Sequence, residues 1–445
     1  MGLTETIKEI SEKMLAFPFL TILLGSIVIT IKTKFIQFRT IPYMIRLFNK
    51  KENRPKSNDP QHQQSLEARH ALFTAISTSI GIGNVVGPAI AIKIGGPGAL
   101  LYFILAILFG ASTIFSEVTF ALKFRKKLKD GSFLGGPMEY LEKTLGSFWA
   151  KFYAISAAIM LLGWTSTQSN SFADILYNYK IPHYITGAIM VALTLAYLFA
   201  GIKKIGELSA KIVPVMFILF CALSFWVIFA NIQKLPGVLW LMFTSAFSPK
   251  AIGGAGMGIF VQKILRWGLA KGTQASEAGV GTTTIPHSLV ENRRPFQQGI
   301  LSMVGAYSVA AVCLLTGLVV LLAETWKDPN LKIGVSILSE AFARYTHPFI
   351  GHLILTICIF LFALGSIIGN SYNGGRCLLF LTPPQWVKFY YFAIAIILFL
   401  GAIFPVELIW SIADFFVIPA ALINISGILL LLFKGQSLKQ LGEDK

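Results

Sequence analysis

Charge is scarce in this 445-residue chain, and acidic charge scarcest: Asp, Glu, Lys and Arg together make 13%, with 21 acidic against 38 basic residues. A soluble domain carries about 25% charged residues, so this composition does not suit an ordinary water-facing surface. Cysteine is scarce too. Cys221, Cys313, Cys358 and Cys377 lie singly in apolar stretches. That pattern excludes a disulfide framework or a zinc module and reads as small buried hydrophobes. No His/Ser/Asp set, paired acid and base or metal-ligand cluster is visible at one depth, which argues against an intramembrane enzyme. A removable leader is not expected either: Glu5, Glu9 and Glu12 precede the first apolar run, and no small-residue cleavage site follows it.

What is abundant is apolar length. Hydrophobic residues make 55% of the chain, the mean hydropathy is +0.68, and runs of about 20 apolar residues recur. They predict one all-α polytopic membrane domain of about eleven transmembrane helices, at about 15–31, 71–94, 98–122, 148–176, 183–201, 209–231, 251–284, 299–323, 348–376, 386–404 and 407–433. The 251–284 and 348–376 stretches are too long for one plain crossing and predict broken or tilted pieces and a helical extension.

The net charge of +17 does not point to nucleic acid, because the basic residues gather in alternate loops. Loop 32–70 holds nine, from Lys32 to Arg69. Loop 123–147 holds Lys123, Arg125, Lys126, Lys127 and Lys129, and Lys203, Lys204, Lys211, Arg293 and Arg294 mark two more. The positive-inside rule makes these loops cytoplasmic, with the N-terminus outside and the C-terminus inside. Asn49 to Gln64 is polar and without apolar periodicity, and reads as a mobile cytoplasmic loop.

Inside the second span stands Ser79-Ile80-Gly81-Ile82-Gly83-Asn84-Val85-Val86-Gly87-Pro88. Helix breakers at mid-membrane leave backbone groups that protein, water or a ligand must satisfy. A weak echo lies five spans later, at Gly253-Gly254-Ala255-Gly256-Met257-Gly258. Glycine-interrupted segments at matching positions of two halves point to a transporter site, although glycines also serve close helix packing. An odd-numbered repeat reverses its direction in the membrane. Exposed amides at a half-helix N-terminus suit a substrate carboxylate, which makes Gly81, Gly83 and Asn84 candidates. Carbonyls near 77–83 and 253–258 can take an ammonium group or a sodium ion.

The ordered motifs resemble the alanine or glycine:cation symporter family. Ile31 to Arg39 look like its opening. Gly81-Ile82-Gly83-Asn84 and Gly95-Gly96-Pro97-Gly98-Ala99 resemble its most specific signature. Ser116-Glu117-Val118-Thr119, Gly135-Gly136-Pro137-Met138, Gln168-Ser169-Asn170-Ser171, Arg266-Trp267-Gly268 and Ser276-Glu277-Ala278-Gly279-Val280-Gly281 follow in order, and Trp410, Asp414 and Pro419 fit the last helix. The resemblance implies a LeuT-type 5+5 inverted repeat plus an extra N-terminal helix. It implies sodium-coupled uptake of a small neutral amino acid across a bacterial plasma (inner) membrane. The corresponding units are 1–70 (N-terminal helix and basic loop), 71–235 and 236–433 (the two repeats) and 434–445 (a cytoplasmic tail). The oligomeric state stays open, and proton coupling or exchange is the alternative.

By the same resemblance, Gln168 lines the substrate pocket, and the Ser77 and Ile80 carbonyls with the Ser366 hydroxyl hold sodium. Asn170, two residues from Gln168, cannot point at the same spot on a regular helix and reads as a helix–helix hydrogen bond. The chain departs from the family at several positions. Gly365 stands where a second hydroxyl is usual beside Ser366. Asn370 replaces a usual Trp, Gly256 beside Met257 replaces an aromatic, and Ser308 replaces an acidic residue. Together they predict a roomier, more polar pocket bounded by Gly254, Gly256, Met257 and Asn370. Glu117, Asp174, Glu277 and Asp414 are costly in lipid and should face protein or water. Glu117 and Glu277 read as partners of Arg125 or Arg266 near the cytoplasmic ends, with a proton relay as the alternative. His287 reads as a cap or loop residue.

Overall fold

The structure is a computed structural model and describes residues 3–49, 66–128, 133–177, 179–247, 266–290, 294–404 and 406–434. Its main helices are α1 (Leu3–Lys32), α2 (Ala68–Ser79), α3 (Ile82–Gly95), α4 (Gly98–Phe124), α5 (Pro137–Thr144), α6 (Ser147–Tyr177), α7 (His183–Ala200), α8 (Ile202–Ala230), α9 (Leu235–Phe247), α10 (Lys271–Ser276), α11 (Thr284–Ser288), α12 (Pro295–Leu322), α13 (Val335–Ala343), α14 (Pro348–Leu381), α15 (Val387–Ile403) and α16 (Val406–Phe433). One two-stranded antiparallel ribbon, β1 (Lys126–Lys127) with β2 (Phe133–Leu134), lies in the basic loop after α4.

The helix ends follow from local chemistry. Pro295 and Pro348 open α12 and α14, where a missing N–H costs nothing. Gly201, at φ +86°, turns the chain from α7 into α8. The outer faces of α7, α8 and α15 expose Ile189, Ile218, Phe229 and Ile396, apolar surface suited to a bilayer. Trp149, Trp226 and Trp386 sit exposed near helix ends, as interfacial aromatics do.

Among the described residues, eight helices are long and apolar enough to cross a membrane, nine with α2–α3 taken as one bent span. Pro18–Lys32 adds a shorter apolar helix, and the seventh expected span, 251–284, is described from residue 266 onward. The expectation for 348–376 is corrected in one respect. α14 is a single 34-residue helix, about 51 Å long at the usual rise, so its excess length is an extension and not a break. The 49–64 loop expectation falls almost wholly outside the described residues.

Two broken segments lie side by side. The first is α2–α3, bent by 43° at Ile80 and Gly81, whose backbones are extended. The second is a π-helical turn, Arg266–Ala270, running into α10. After α10, Glu277, Gly279 and Gly281 take φ of +55°, +82° and +88°, and α11 follows. The segments run in opposite senses. The Leu66 N–H at the start of α2 donates to the Leu289 carbonyl after α11 (3.1 Å). At the other end, the π-helical turn and α10 pack on α3. The expected echo at 253–258, with Gly254, Gly256 and Met257, lies outside the described residues. The discontinuity seen in this span is at 277–283.

Candidate substrate and cation site

Breaking the helix at Ile80–Gly81 exposes the first-turn N–H groups of α3, which have no carbonyl four residues back in their own helix. Gln168 of α6 answers one of them: its Oε1 accepts the Ile82 N–H at 2.8 Å. This side chain lies so close to Gly81 that a Cβ there would sit 2.8 Å from its Nε2. Asn84 clamps the break from within. Its N–H turns back to the Gly81 carbonyl (3.1 Å), and its Nδ2 donates to the Ser79 carbonyl (2.6 Å). Of the three amides expected to serve a carboxylate, that of Asn84 is therefore occupied. The Gly81 N–H has no hydrogen-bond partner among the described residues. A Cβ at Gly83 would meet nothing within 4 Å, so its face is open.

α14 brings the hydroxyl expected to bind sodium to the same place. Ser366 Oγ donates to the Thr78 carbonyl (3.0 Å) and accepts from Asn370 Nδ2 (3.2 Å). Asn370 thus orients a candidate cation ligand as well as bounding the pocket. Ser77 Oγ and Asn370 Oδ1 are buried without hydrogen-bond partners. Buried oxygens left unsatisfied cost about 1–3 kcal/mol each, and oxygens are what a hard cation takes. The residues present therefore fit a sodium ion at the α2–α14 contact.

The second break is held from behind and open in front. Asn424 of α16 donates through Nδ2 to the Gly279 carbonyl (2.9 Å) and to Glu117 Oε1 (2.7 Å), and accepts from the Tyr140 hydroxyl. Tyr153 donates to the Val280 carbonyl (2.6 Å). In front stands Glu277, 5% exposed, whose Oε2 accepts from Thr282 at 2.5 Å. The expected pairing with arginine is corrected here. Glu117 is bound by Asn424, with Oε2 left unpartnered, and Glu277 by Thr282. Arg125 instead donates to the Ser288 (2.9 Å) and Val290 carbonyls. The side chain of Arg266 lies outside the described residues, as does that of Asp414. Glu277, expected near a helix end, is thus a residue of the break. Asp174 faces water at the cavity mouth, 3.2 Å from His183. His287 is buried against Gln298 (2.6 Å). Asn170 makes the expected interhelical bonds, to the Gly401 and Phe404 carbonyls (2.8 Å each).

Both breaks face one cavity of about 1130 Å³, which Gly81, Gly83, Gln168, Glu277, Ser366 and Asn370 line at its deep end. It reaches the surface past Tyr177, Ile333 and Phe349, all more than half exposed. Toward the opposite end the described residues pack together: Leu66 bonds to Leu289, and Arg125 ties α4 to the Ser288 and Val290 carbonyls. Among the described residues, the polar pocket at the two helix breaks opens at one end.

The model of the sodium:alanine symporter family matches residues 1–441. The chain belongs to this family. It is similar to the sodium/alanine symporter AgcS of Methanococcus maripaludis, with 32% identity over 93% of this chain and 91% of that one. It is also similar to a probable sodium/glutamine symporter, GlnT, of Bacillus subtilis, with 29% identity over 96% and 88%. Among solved structures, MhsT in complex with L-phenylalanine superposes with a TM-score of 0.57 at 16% identity, covering 83% of this chain and 90% of that one. At that identity the likeness carries the fold alone, which is LeuT-type. The sodium:alanine symporter family is one of transporters, not enzymes, and its members are multi-pass membrane proteins. The opposed broken segments are what such a fold uses at its centre.

Proposed function

We propose that this chain takes up a small neutral amino acid coupled to sodium, by alternating access. The observation that carries the reading is the joining of three features in one cavity: the unpartnered Gly81 N–H and open Gly83 at the head of α3, the carboxylate of Glu277 at the opposed break, and the Ser366 hydroxyl against α2. The substrate carboxylate lies at the α3 terminus, where the helix dipole is positive, with Gln168 and Asn84 holding that terminus in shape. Its ammonium group faces Glu277 and the carbonyls of the breaks. Its side chain extends toward Asn370. Sodium is held by the Ser77 and Ile80 carbonyls and Ser366 Oγ. The replacement of a usual Trp by Asn370 supports a pocket for cargo larger or more polar than alanine or glycine. A relative named for glutamine supports the same direction.

The repeats 71–235 and 236–433 would rock about this centre. The basic loops support a cytoplasmic C-terminus in a bacterial plasma membrane. Glu117 and Glu277, which no basic side chain contacts among the described residues, favour one second reading, in which a proton replaces or accompanies sodium.

Uptake into proteoliposomes of labelled alanine, glycine, glutamine and a wider panel, under an inward sodium gradient against potassium, tests both. Sodium-driven accumulation supports symport. Accumulation driven by a pH gradient and indifferent to sodium replaces it with the second reading.

A further inference from the structure

At the candidate sodium site, Gly365 stands beside Ser366 on α14 and packs directly on the Ser77 hydroxyl of α2. We propose that Ser77 Oγ supplies a second hydroxyl ligand from across the interface, so that Ser77 and Gly365 form one coupled pair. This inference rests on the sodium-coupled reading above and names a side-chain ligand that the reading does not contain.

The space at this contact holds one hydroxyl and not two. A Cβ built on Gly365 would lie 2.1 Å from Ser77 Oγ, 3.4 Å from Ser77 Cβ and 3.5 Å from the Ser77 carbonyl oxygen. Real atoms do not approach so closely, so any side chain at 365 requires the Ser77 hydroxyl to leave. One turn on, Gly369 stands in the same relation to Thr78, whose Oγ1 would be 2.1 Å from a Cβ. The two glycines let α2 and α14 touch, but the two hydroxyls they admit behave differently. Thr78 Oγ1 donates to the Thr74 carbonyl (2.7 Å), and Thr74 does the same to His70 (2.7 Å). That is the usual way a helical hydroxyl satisfies itself.

Ser77 makes no such bond. It is 1% exposed, and its Oγ has no partner, directed instead at the space over Gly365. Beside it, Ser366 Oγ bonds to the carbonyl of the very next α2 residue, Thr78, so the Ser77 and Ser366 hydroxyls flank one turn of α2. Helix geometry gave Ser77 a partner within its own helix, and the side chain leaves that partner unused. A small cation held between the two hydroxyls supplies what the orphan oxygen lacks.

The test uses the purified full chain in detergent, with ²²Na⁺ binding and sodium-dependent thermal stabilisation, each against potassium, as the readouts. Wild type binds sodium. Ser77→Ala removes one buried atom, leaves stability in potassium unchanged or higher, and weakens sodium binding by about tenfold or more, the loss of one strong ligand contact. Gly365→Ser alone turns the Ser77 hydroxyl aside, since the added Cβ meets only that rotatable end, and leaves one hydroxyl at the contact. The double variant S77A/G365S folds and regains sodium binding, the hydroxyl having moved from one helix to the other. Wild-type sodium affinity in Ser77→Ala overturns the proposal, as does a folded double variant no better than Ser77→Ala alone. Absence of sodium binding by the wild type overturns the sodium-coupled reading itself, and this proposal with it, so the two failures are told apart.

Discussion

Gln168 does for α3 what a serine or aspartate usually does at a helix start: it brings an oxygen to a first-turn N–H. Because it reaches in from another helix, it couples the shape of the break to α6. Gln168→Ala should destabilise by about 1 kcal/mol, the ordinary worth of such a cap, seen as a few degrees in thermal unfolding in detergent. Gln168→Glu keeps the cap and places a fixed negative charge at the proposed site of the substrate carboxylate. We expect it to fold normally and to lose uptake. Normal uptake by Gln168→Glu would move the carboxylate site away from α3. Glu277→Gln tests the opposite pole: the amide oxygen still accepts from Thr282, so yield and elution profile should match wild type while uptake falls by at least an order of magnitude. Wild-type uptake would remove Glu277 from the site. That Gln168 and Asn170 reach different targets was legible in sequence, since two residues apart on a helix cannot share one, whereas a pocket role for Gln168 was implied by the resemblance alone. The place of Glu277 was not, because its left-handed backbone, which makes it part of a break, leaves no trace in residue type.

At the scale of elements, apolar length gave most of the spans and the Gly81–Gly83 motif gave the first break. The second break expected from the glycine-dense 253–258 stretch lies outside the described residues. The break observed at 277–283 has only Gly279 and Gly281, set by what surrounds them: a Cβ at Gly279 would lie 2.6 Å from Ile22 Cγ2, and at Gly281 2.4 Å from Pro137 Cγ. Counting glycines cannot distinguish those that need positive φ and close contact from those that do not, since both properties belong to the packed partner. The contrast can be measured. Gly281→Ala meets both left-handed strain, about 1–2 kcal/mol, and a clash of similar size, and should lower folded yield sharply. Gly83→Ala has neither penalty. It should leave the thermal unfolding temperature unchanged or higher while its methyl group, projecting into the cavity, raises the KM for uptake. Fluorescence-detected size exclusion and uptake kinetics on the two variants give both answers.

For the whole molecule, the sequence held the positive-inside asymmetry and the family motifs, but not which end of the bundle is open, because that depends on a balance between two packings of the same residues. On the proposed alternating-access reading, the end opposite the cavity mouth holds one side of that balance: there Arg125 donates to the Ser288 and Val290 carbonyls and stacks on Phe133, 3.8 Å from its ring centre. Hydrogen bonds from a charged donor contribute about 1.5–3 kcal/mol each, so Arg125→Ala should shift the two-orientation equilibrium by an order of magnitude or more toward opening at this end. Gly83→Cys reports on that shift, since Gly83 lines the cavity and a Cβ there meets nothing within 4 Å. The native cysteines Cys313, Cys358 and Cys377 are buried, and Cys221 partly so. In sealed vesicles of known orientation, an impermeant thiol reagent applied on the side of Ile333 and Phe349 should label Gly83→Cys readily. Adding Arg125→Ala should slow that labelling and speed labelling from the opposite face. Equal slowing from both faces would mean that Arg125 supports the fold and does not set its orientation. Unchanged rates would place the latch elsewhere, with the Leu66–Leu289 contact the next to test.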